Sequence, residues 1–274
     1  MELLLHTIAL EPARWTVHRT SRDLVSILPD IASAGFHRIE VYEPHLTDAT
    51  TSLKIRDALR SSDLQPEILS SYLNLNPAET SSAEIKTKVE EIRERIDYYG
   101  FRGVRIFPGL RMKPSDKASV ALFIERIVWL AASLPGTEIL LETHDGSLAD
   151  DPETITEIVR ELKAPSVGLL YQPTFFEPEG ALRQFALQQP FVRHVHLQNR
   201  HADLSFAPLG EGVIPWERII AKMDKSVTAT LEFVPAGICR VEDFDLAATL
   251  LQIQSEAAYV RRLSNCTPQG ISRR

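Results

Sequence analysis

A chain of 274 residues, 44% hydrophobic and 24% charged, is long enough to bury a large core and has a globular composition. Its net charge of −7 gives nucleic-acid binding no electrostatic support, so a small polar ligand is the expected partner. Two cysteines, Cys239 and Cys266, give neither a disulfide framework nor a cysteine-based zinc site; the start MELLLHTIALEP has an acid at position 2 and only a short apolar run, so no signal peptide or membrane span is expected, and a cytoplasmic location is.

Short apolar runs alternate with helical patterns along the whole chain. LLLHTIAL (Leu3–Leu10) is followed by a helix around Arg22–Ala34, and FHRIEVY (Phe36–Tyr42) by a helix near Thr47–Ser61. QPEILSSYL (Gln65–Leu73) precedes a helix that begins near Ser81, where Ser81 and Glu84 make a capping box and Ile85, Val89, Ile92 and Ile96 recur at helical spacing. GVRIFPG (Gly103–Gly109) leads to the helix ALFIERIVWLAASL, and TEILLETHDG (Thr137–Gly146) to a helix over about Asp151–Lys163. SVGLLYQPTFF (Ser166–Phe176) precedes a short helix near Leu182–Gln188. FVRHVHLQNR (Phe191–Arg200) is followed by a long loop and IPWERIIAKM; VTATLEFVP (Val227–Pro235) is followed by a helix burying Leu246, Leu250, Ile253, Ala257 and Val260.

Eight near-continuous apolar strands, each followed by an amphipathic helix, predict a parallel sheet covered by helices. At this length that means an α/β fold of one domain, a (β/α)8 TIM barrel over residues 1–263 with a C-terminal tail over 264–274. An open doubly wound sheet is the alternative, but no Gly-rich turn follows the first strand.

Chemistry in such a barrel sits at the C-terminal ends of the strands. There the chain places Glu40 and Glu43 (strand 2), Glu142, Thr143 and His144 (strand 5), Gln172 (strand 6), His194, His196, Gln198 and Asn199 (strand 7) and Glu232 (strand 8). His194, His196 and Gln198 share one face of their strand, since side chains alternate. A carboxylate inside LLET or TLEFV follows apolar residues in a buried strand and needs a partner or a metal. The plainer readings are that Arg105 pairs with Glu142 or Glu232, that Arg38 or a helix N-terminus pairs with Glu40, that His144 is a loop residue, and that the strand-7 histidines are satisfied by hydrogen bonds.

These residues, with LLETHDG, VGLLYQPTFF, HVHLQN, LGEG and TLEFVP in that order, resemble the xylose-isomerase-like barrels. That group takes in sugar phosphate isomerases and epimerases, ketose 3-epimerases, inosose dehydratases and, more distantly, endonuclease IV, the AP endonuclease type. The resemblance spans roughly Glu2 to Leu263. It implies one divalent metal (Mn²⁺, Mg²⁺, Co²⁺ or Zn²⁺) held by Glu142, Gln172, His196 and Glu232, with His194 as a neighbour. The chain departs from the family where Gln172 replaces an aspartate, Phe175 a histidine, and Gln198-Asn199 a Lys-Asp pair. One ligand charge is lost, so weaker metal binding is expected.

The expected function is a metal-dependent isomerase or epimerase of a sugar, sugar phosphate or polyol. It would act by proton abstraction next to a carbonyl, through an enediolate, with Glu142 and Glu232 as the catalytic acid and base. Glu40, His144, Gln198, Arg200 and Trp15 are the expected substrate contacts. LGEG is a weak phosphate-binding signal, opposed by its own Glu211. Two alternatives stand beside this reading: a dehydratase or lyase on a keto-polyol at the same site, and an inactive sugar-binding barrel suggested by the four departures. Neither nucleic acid nor membrane is an expected partner, and pairing into a homodimer is compatible with the resemblance.

Overall fold

The structure, a computed structural model, describes residues 1–12, 19–46, 51–113 and 116–266. The apolar runs form parallel strands: β1 (Leu3–His6), β2 (Arg38–Tyr42), β3 (Gln65–Asn74), β4 (Gly103–Phe107), β5 (Glu138–Glu142), β6 (Val167–Tyr171) and β7 (Val192–Leu197). A small antiparallel hairpin, β8 (Asn199–Arg200) with β9 (Phe206–Ala207), follows, so the eighth barrel strand is β10 (Thr228–Leu231). β10 pairs with both β7 and β1, and the sheet closes in the order β1-β10-β7-β6-β5-β4-β3-β2. Closure of eight parallel strands is the (β/α)8 barrel expected from the pattern.

Helices α1 (Ser21–Ser33), α2 (Ser52–Ser61), α3 (Ser82–Tyr99), α4 (Lys117–Ser133), α5 (Pro152–Glu161), α6 (Pro178–Gln188), α7 (Trp216–Ile220) and α8 (Leu246–Cys266) follow the strands. Strand alternation explains the two cores. Ile39, Val41, Val104, Ile106, Ile139, Leu141, Val195 and Leu197 point outward into the shell beneath the helices. Leu4, Ile68, Leu140 and Leu170 point inward and form a separate plug. Two residues further along those strands the inward positions turn polar: His6, Ser70, Glu142 and Gln172. The plug is thus the floor of a buried polar chamber at the C-terminal end of the barrel.

Several boundaries differ from expectation. The first strand stops at His6 and the chain turns into a 3-10 helix over Thr7–Leu10, because the His6 ring nitrogen Nδ1 accepts the Ile8 N–H and bends the chain across the barrel mouth. The short α7 replaces the longer helix suggested by IPWERIIAKM. α8 runs on to Cys266, into the tail expected over 264–274. Among the described residues no helix is long and apolar enough to cross a membrane.

Candidate metal centre and active site

His194 and His196 enter the chamber from β7, as their spacing predicts, but they meet different surroundings. His194 lies lower, its Nδ1 2.5 Å from Thr228 Oγ1 and its Nε2 2.7 Å from Thr230 Oγ1. Burial pushes its pKa down, so it is neutral and held by the hydroxyls of β10. The hydrogen-bonded reading of FVRHVHLQNR therefore applies to His194. His196, one layer up, places Nδ1 3.3 Å from Glu232 Oε1 and 3.6 Å from Glu142 Oε1.

Among the described residues, two clusters have ligand atoms lying within 4.8 Å of one another: Glu142, His196 and Glu232, and His6, Glu40 and His196. Together they support a divalent-metal cofactor in this chamber. Proton placement separates them. His6 Nδ1 accepts from the Ile8 amide, so in the neutral ring Nε2 carries the hydrogen and points it at Ser70 Oγ (3.0 Å) and Glu40 Oε1 (3.4 Å). Burial drives the His6 pKa down to about 3, despite the opposing pull of Glu40, so the ring is neutral and has no lone pair left for an ion. The His6 cluster is a hydrogen-bond network.

Glu40 is fully buried, with oxygens 3.0 and 3.1 Å from His196 Nε2 and 3.6 Å from His194 Nε2. Burial would raise its pKa, but the charge of His196 and the hydrogen bonds from the rings hold it well below the usual carboxylate range. Glu40, an expected substrate contact, faces three histidine rings, and Arg38 pairs with Glu2 and Glu67 rather than with it. By accepting Nε2–H it fixes the His196 tautomer and leaves Nδ1 aimed at Glu142 and Glu232. Burial works against a proton on His196, but Glu40 and Glu232 outweigh it and raise its pKa.

The two carboxylates are held unequally. Arg105, buried on β4, places Nε 3.1 Å from Glu142 Oε2 without a well-directed hydrogen bond, so that oxygen keeps unsatisfied lone pairs. Arg105 also donates to the Ser71 carbonyl (3.0 Å) and lies over the Tyr72 and Phe107 rings. Burial raises the Glu142 pKa, but Arg105 and His196 prevail and bring it to about 2. The arginine pairing foreseen for either acid thus occurs at Glu142. Glu232 instead accepts from Gln198 Nε2 at 2.9 Å, while Gln198 Oε1 is buried without a partner.

Gln172 completes the ring. One polar atom of its amide lies 2.8 Å from Glu232 Oε2 and 3.2 Å from Glu142 Oε1. The donor set fits a divalent ion on two grounds. Acceptor atoms from Glu142, His196 and Glu232 converge on one point. In addition, with His196 neutral as a ligand, three buried carboxylates (Glu40, Glu142, Glu232) against one guanidinium (Arg105) leave two negative charges, which a dication would cancel.

The profile of the family described as Xylose isomerase-like TIM barrel matches residues 28–239. The chain belongs to that family. Its members among solved structures are distant. The probable 3-DHS dehydratase AsbF from Bacillus anthracis is 19% identical with a TM-score of 0.72, covering 94% of this chain and 99% of that one. D-psicose 3-epimerase with D-tagatose from Clostridium cellulolyticum H10 is 13% identical, TM-score 0.71, covering 97% and 100%. The IOLI protein with a binding zinc atom is 15% identical, TM-score 0.71, covering 95% and 98%. At these identities the likeness carries the fold. A search of curated proteins returns no match.

Of the remaining expected substrate residues, His144 and Arg200 lie among the described residues. His144 is half-buried beside Phe107, its Nδ1 2.6 Å from the Asp145 carbonyl. Arg200 donates to the Leu204 carbonyl and stacks 3.3 Å above the Phe206 ring, with Nε buried and unpaired. Trp15 lies outside the described residues. LGEG is structural: a side chain on Gly212 would come 2.2 Å from Asn199 Cγ, so the loop needs glycine to pack there. His6 and Arg105 were not singled out as site residues. His6 carries the signal that revealed Glu142, a polar residue at an inward position of an apolar strand.

Proposed function

We propose that this xylose-isomerase-like barrel is a divalent-metal-dependent isomerase or epimerase of a sugar, sugar phosphate or polyol. The observation that carries the reading is the convergence of Glu142, His196 and Glu232 at the C-terminal ends of three strands. These three side chains would hold the ion, with Gln172 as a fourth ligand through its amide oxygen. Such an ion supplies Lewis-acid polarisation of a carbonyl and offsets the negative charge that develops when the neighbouring carbon loses its proton. Burial works against a charge on Glu142, but Arg105 beside it favours the carboxylate, which suits it to the role of ligand and charge balance. Proton removal falls to Glu232, which Gln198 orients. His144, with Nδ1–H given to a carbonyl, keeps an Nε2 lone pair and takes or returns the second proton.

Protein purified without chelators is expected to retain close to stoichiometric divalent metal. Glu232→Gln is expected to abolish hydrogen exchange between solvent and a ketose. Exchange that survives either Glu232→Gln or metal removal overturns the reading.

Dehydration of a keto-polyol at the same site is the second reading. It is favoured by a row of aromatic rings at the strand ends: Tyr42 in edge contact with Tyr72, Tyr72 tilted against Phe107, and Phe233 packed on Tyr42 and Phe206. An apolar rim suits a product that loses a hydroxyl and gains unsaturation. A new ultraviolet absorbance on turnover separates it from epimerisation, which creates none.

A further inference from the structure

At the opposite end of the barrel from the chamber, where β2 and β3 begin at Arg38 and Gln65, a cavity of about 400 Å³ lies between those strands, α2 and the end of α3. Its size is that of a small-molecule site. Three arginines line it: Arg38, Arg56 and Arg60. Arg38 is matched, with Nε 2.7 Å from Glu2 and Nη1 3.1 Å from Glu67. Arg56 and Arg60 are not: among the described residues neither meets an acid at ion-pair distance. The chain as a whole carries a net charge of −7, so two unmatched cations on one hollow run against its composition.

Local structure does not account for them. Arg60 stands in the last turn of α2, where a cation can cap free carbonyls. Those carbonyls are already taken by backbone: Ser62 N–H donates to Ala58 (3.0 Å), Leu64 N–H to Leu59 (2.9 Å) and Asp63 N–H to Arg60 (3.2 Å). Arg56 lays its guanidinium over the Tyr98 ring, 4.9 Å from the centroid, and its Nε is buried without an acceptor. Stacking orients that guanidinium but leaves its charge unmatched. Residues four apart on a helix share a face, so both arginines can reach one anion. Leu64, Pro66 and Tyr99 supply an apolar wall beside them.

We propose that this cavity binds a small phosphate ester, its phosphate held by Arg56 and Arg60 and its body laid against Leu64, Pro66 and Tyr99. A carboxylate is filled by one bidentate arginine. A phosphate monoester brings three terminal oxygens and close to two charges, enough for two guanidinium groups. Asp63, exposed on the rim, is the one acid lining the cavity and opposes the ligand. The site stands apart from the metal centre and does not depend on it.

The test is calorimetric titration of phenyl phosphate, inorganic phosphate and benzoate into metal-free full-length protein in a buffer without chelator or phosphate, so that no ligand is held through an ion in the chamber. Phenyl phosphate is expected to bind at one site, more tightly than inorganic phosphate because of the apolar wall, and more tightly than benzoate because of its charge. Arg56→Gln and Arg60→Gln should each weaken it on the order of tenfold, the loss of a charged hydrogen-bond donor. Asp63→Asn should strengthen it, because it removes the opposing charge while asparagine keeps the left-handed backbone there, φ 52°. Arg60 and Asp63 are exposed, so those two variants decide even if Arg56→Gln does not fold. No binding of phenyl phosphate, or binding that neither Arg60→Gln nor Asp63→Asn alters, overturns the site. Benzoate bound as tightly as phenyl phosphate overturns its assignment to a phosphate.

Discussion

Glu40 and His196 make the central pair of the site. Glu40 is enclosed, and its effect on an ion passes through His196, whose Nε2–H it accepts. Glu40→Gln keeps the size of the side chain but removes the charge that makes the imidazole a stronger donor. Metal affinity should fall roughly 10- to 100-fold, as it does when such outer partners are changed, and calorimetric titration checks this. A substrate contact by Glu40 would instead weaken substrate binding with metal affinity intact. The sequence marked Glu40 as a polar residue in an apolar strand, which was enough to place it in the chamber. It did not say which way the carboxylate turned, because that depends on histidines from β1 and β7, brought beside it only by closure.

Between residues and fold lies the loop after β7. Asn199 holds it: Nδ2 donates to the carbonyls of Leu209 (2.7 Å) and Ile214 (3.1 Å), and Oδ1 accepts from the amides of Ile214 (2.9 Å) and Arg200 (2.9 Å). All four contacts are with backbone, so the residue in place of the family aspartate acts as a brace for the β8–β9 hairpin. Asn199→Asp turns a donor into an acceptor against two carbonyls and should cost about 1–3 kcal/mol, read from the denaturant midpoint. The N-terminus of α3 offers a milder case. Ser81 accepts from the Glu84 amide (3.2 Å) and Glu84 accepts from the Ser81 amide (2.8 Å), so Ser81→Ala should cost about 1 kcal/mol by the same measurement. The capping box was legible because its partners are three residues apart. The Asn199 brace was not, because its partners lie up to 15 residues away in a loop without periodicity.

The whole molecule sets its own pH response through buried acids tied across elements. Glu43, at the end of β2, takes Lys88 and Arg95 of α3 as ion partners and accepts from Ser71 Oγ and the Tyr72 amide of β3. Burial would raise its pKa, but Lys88 and the Tyr72 amide prevail and lower it from the ordinary value of 4.5. A depressed folded pKa means the contribution is full above the unfolded value and is lost as pH falls through the folded one. The melting temperature should therefore drop on the acid side below about 4.5, and Glu43→Gln should flatten that drop while lowering the plateau at neutral pH. Equal slopes in the two proteins would show that Glu43 does not link the turn to α3.

By itself the sequence determined the barrel and the population of its chamber. Eight apolar runs with helices between them admit few other folds, and a two-residue period assigns each polar residue to the inner face. Both signals are local, carried by neighbours along one strand or helix. Only the tertiary structure decided roles among the inward residues. Arg105 rather than a metal alone meets Glu142, two threonines satisfy His194, and Glu40 turns to His196. Those choices rest on distances between strands far apart in sequence, and the energy of a buried charge is set by what stands across the chamber from it.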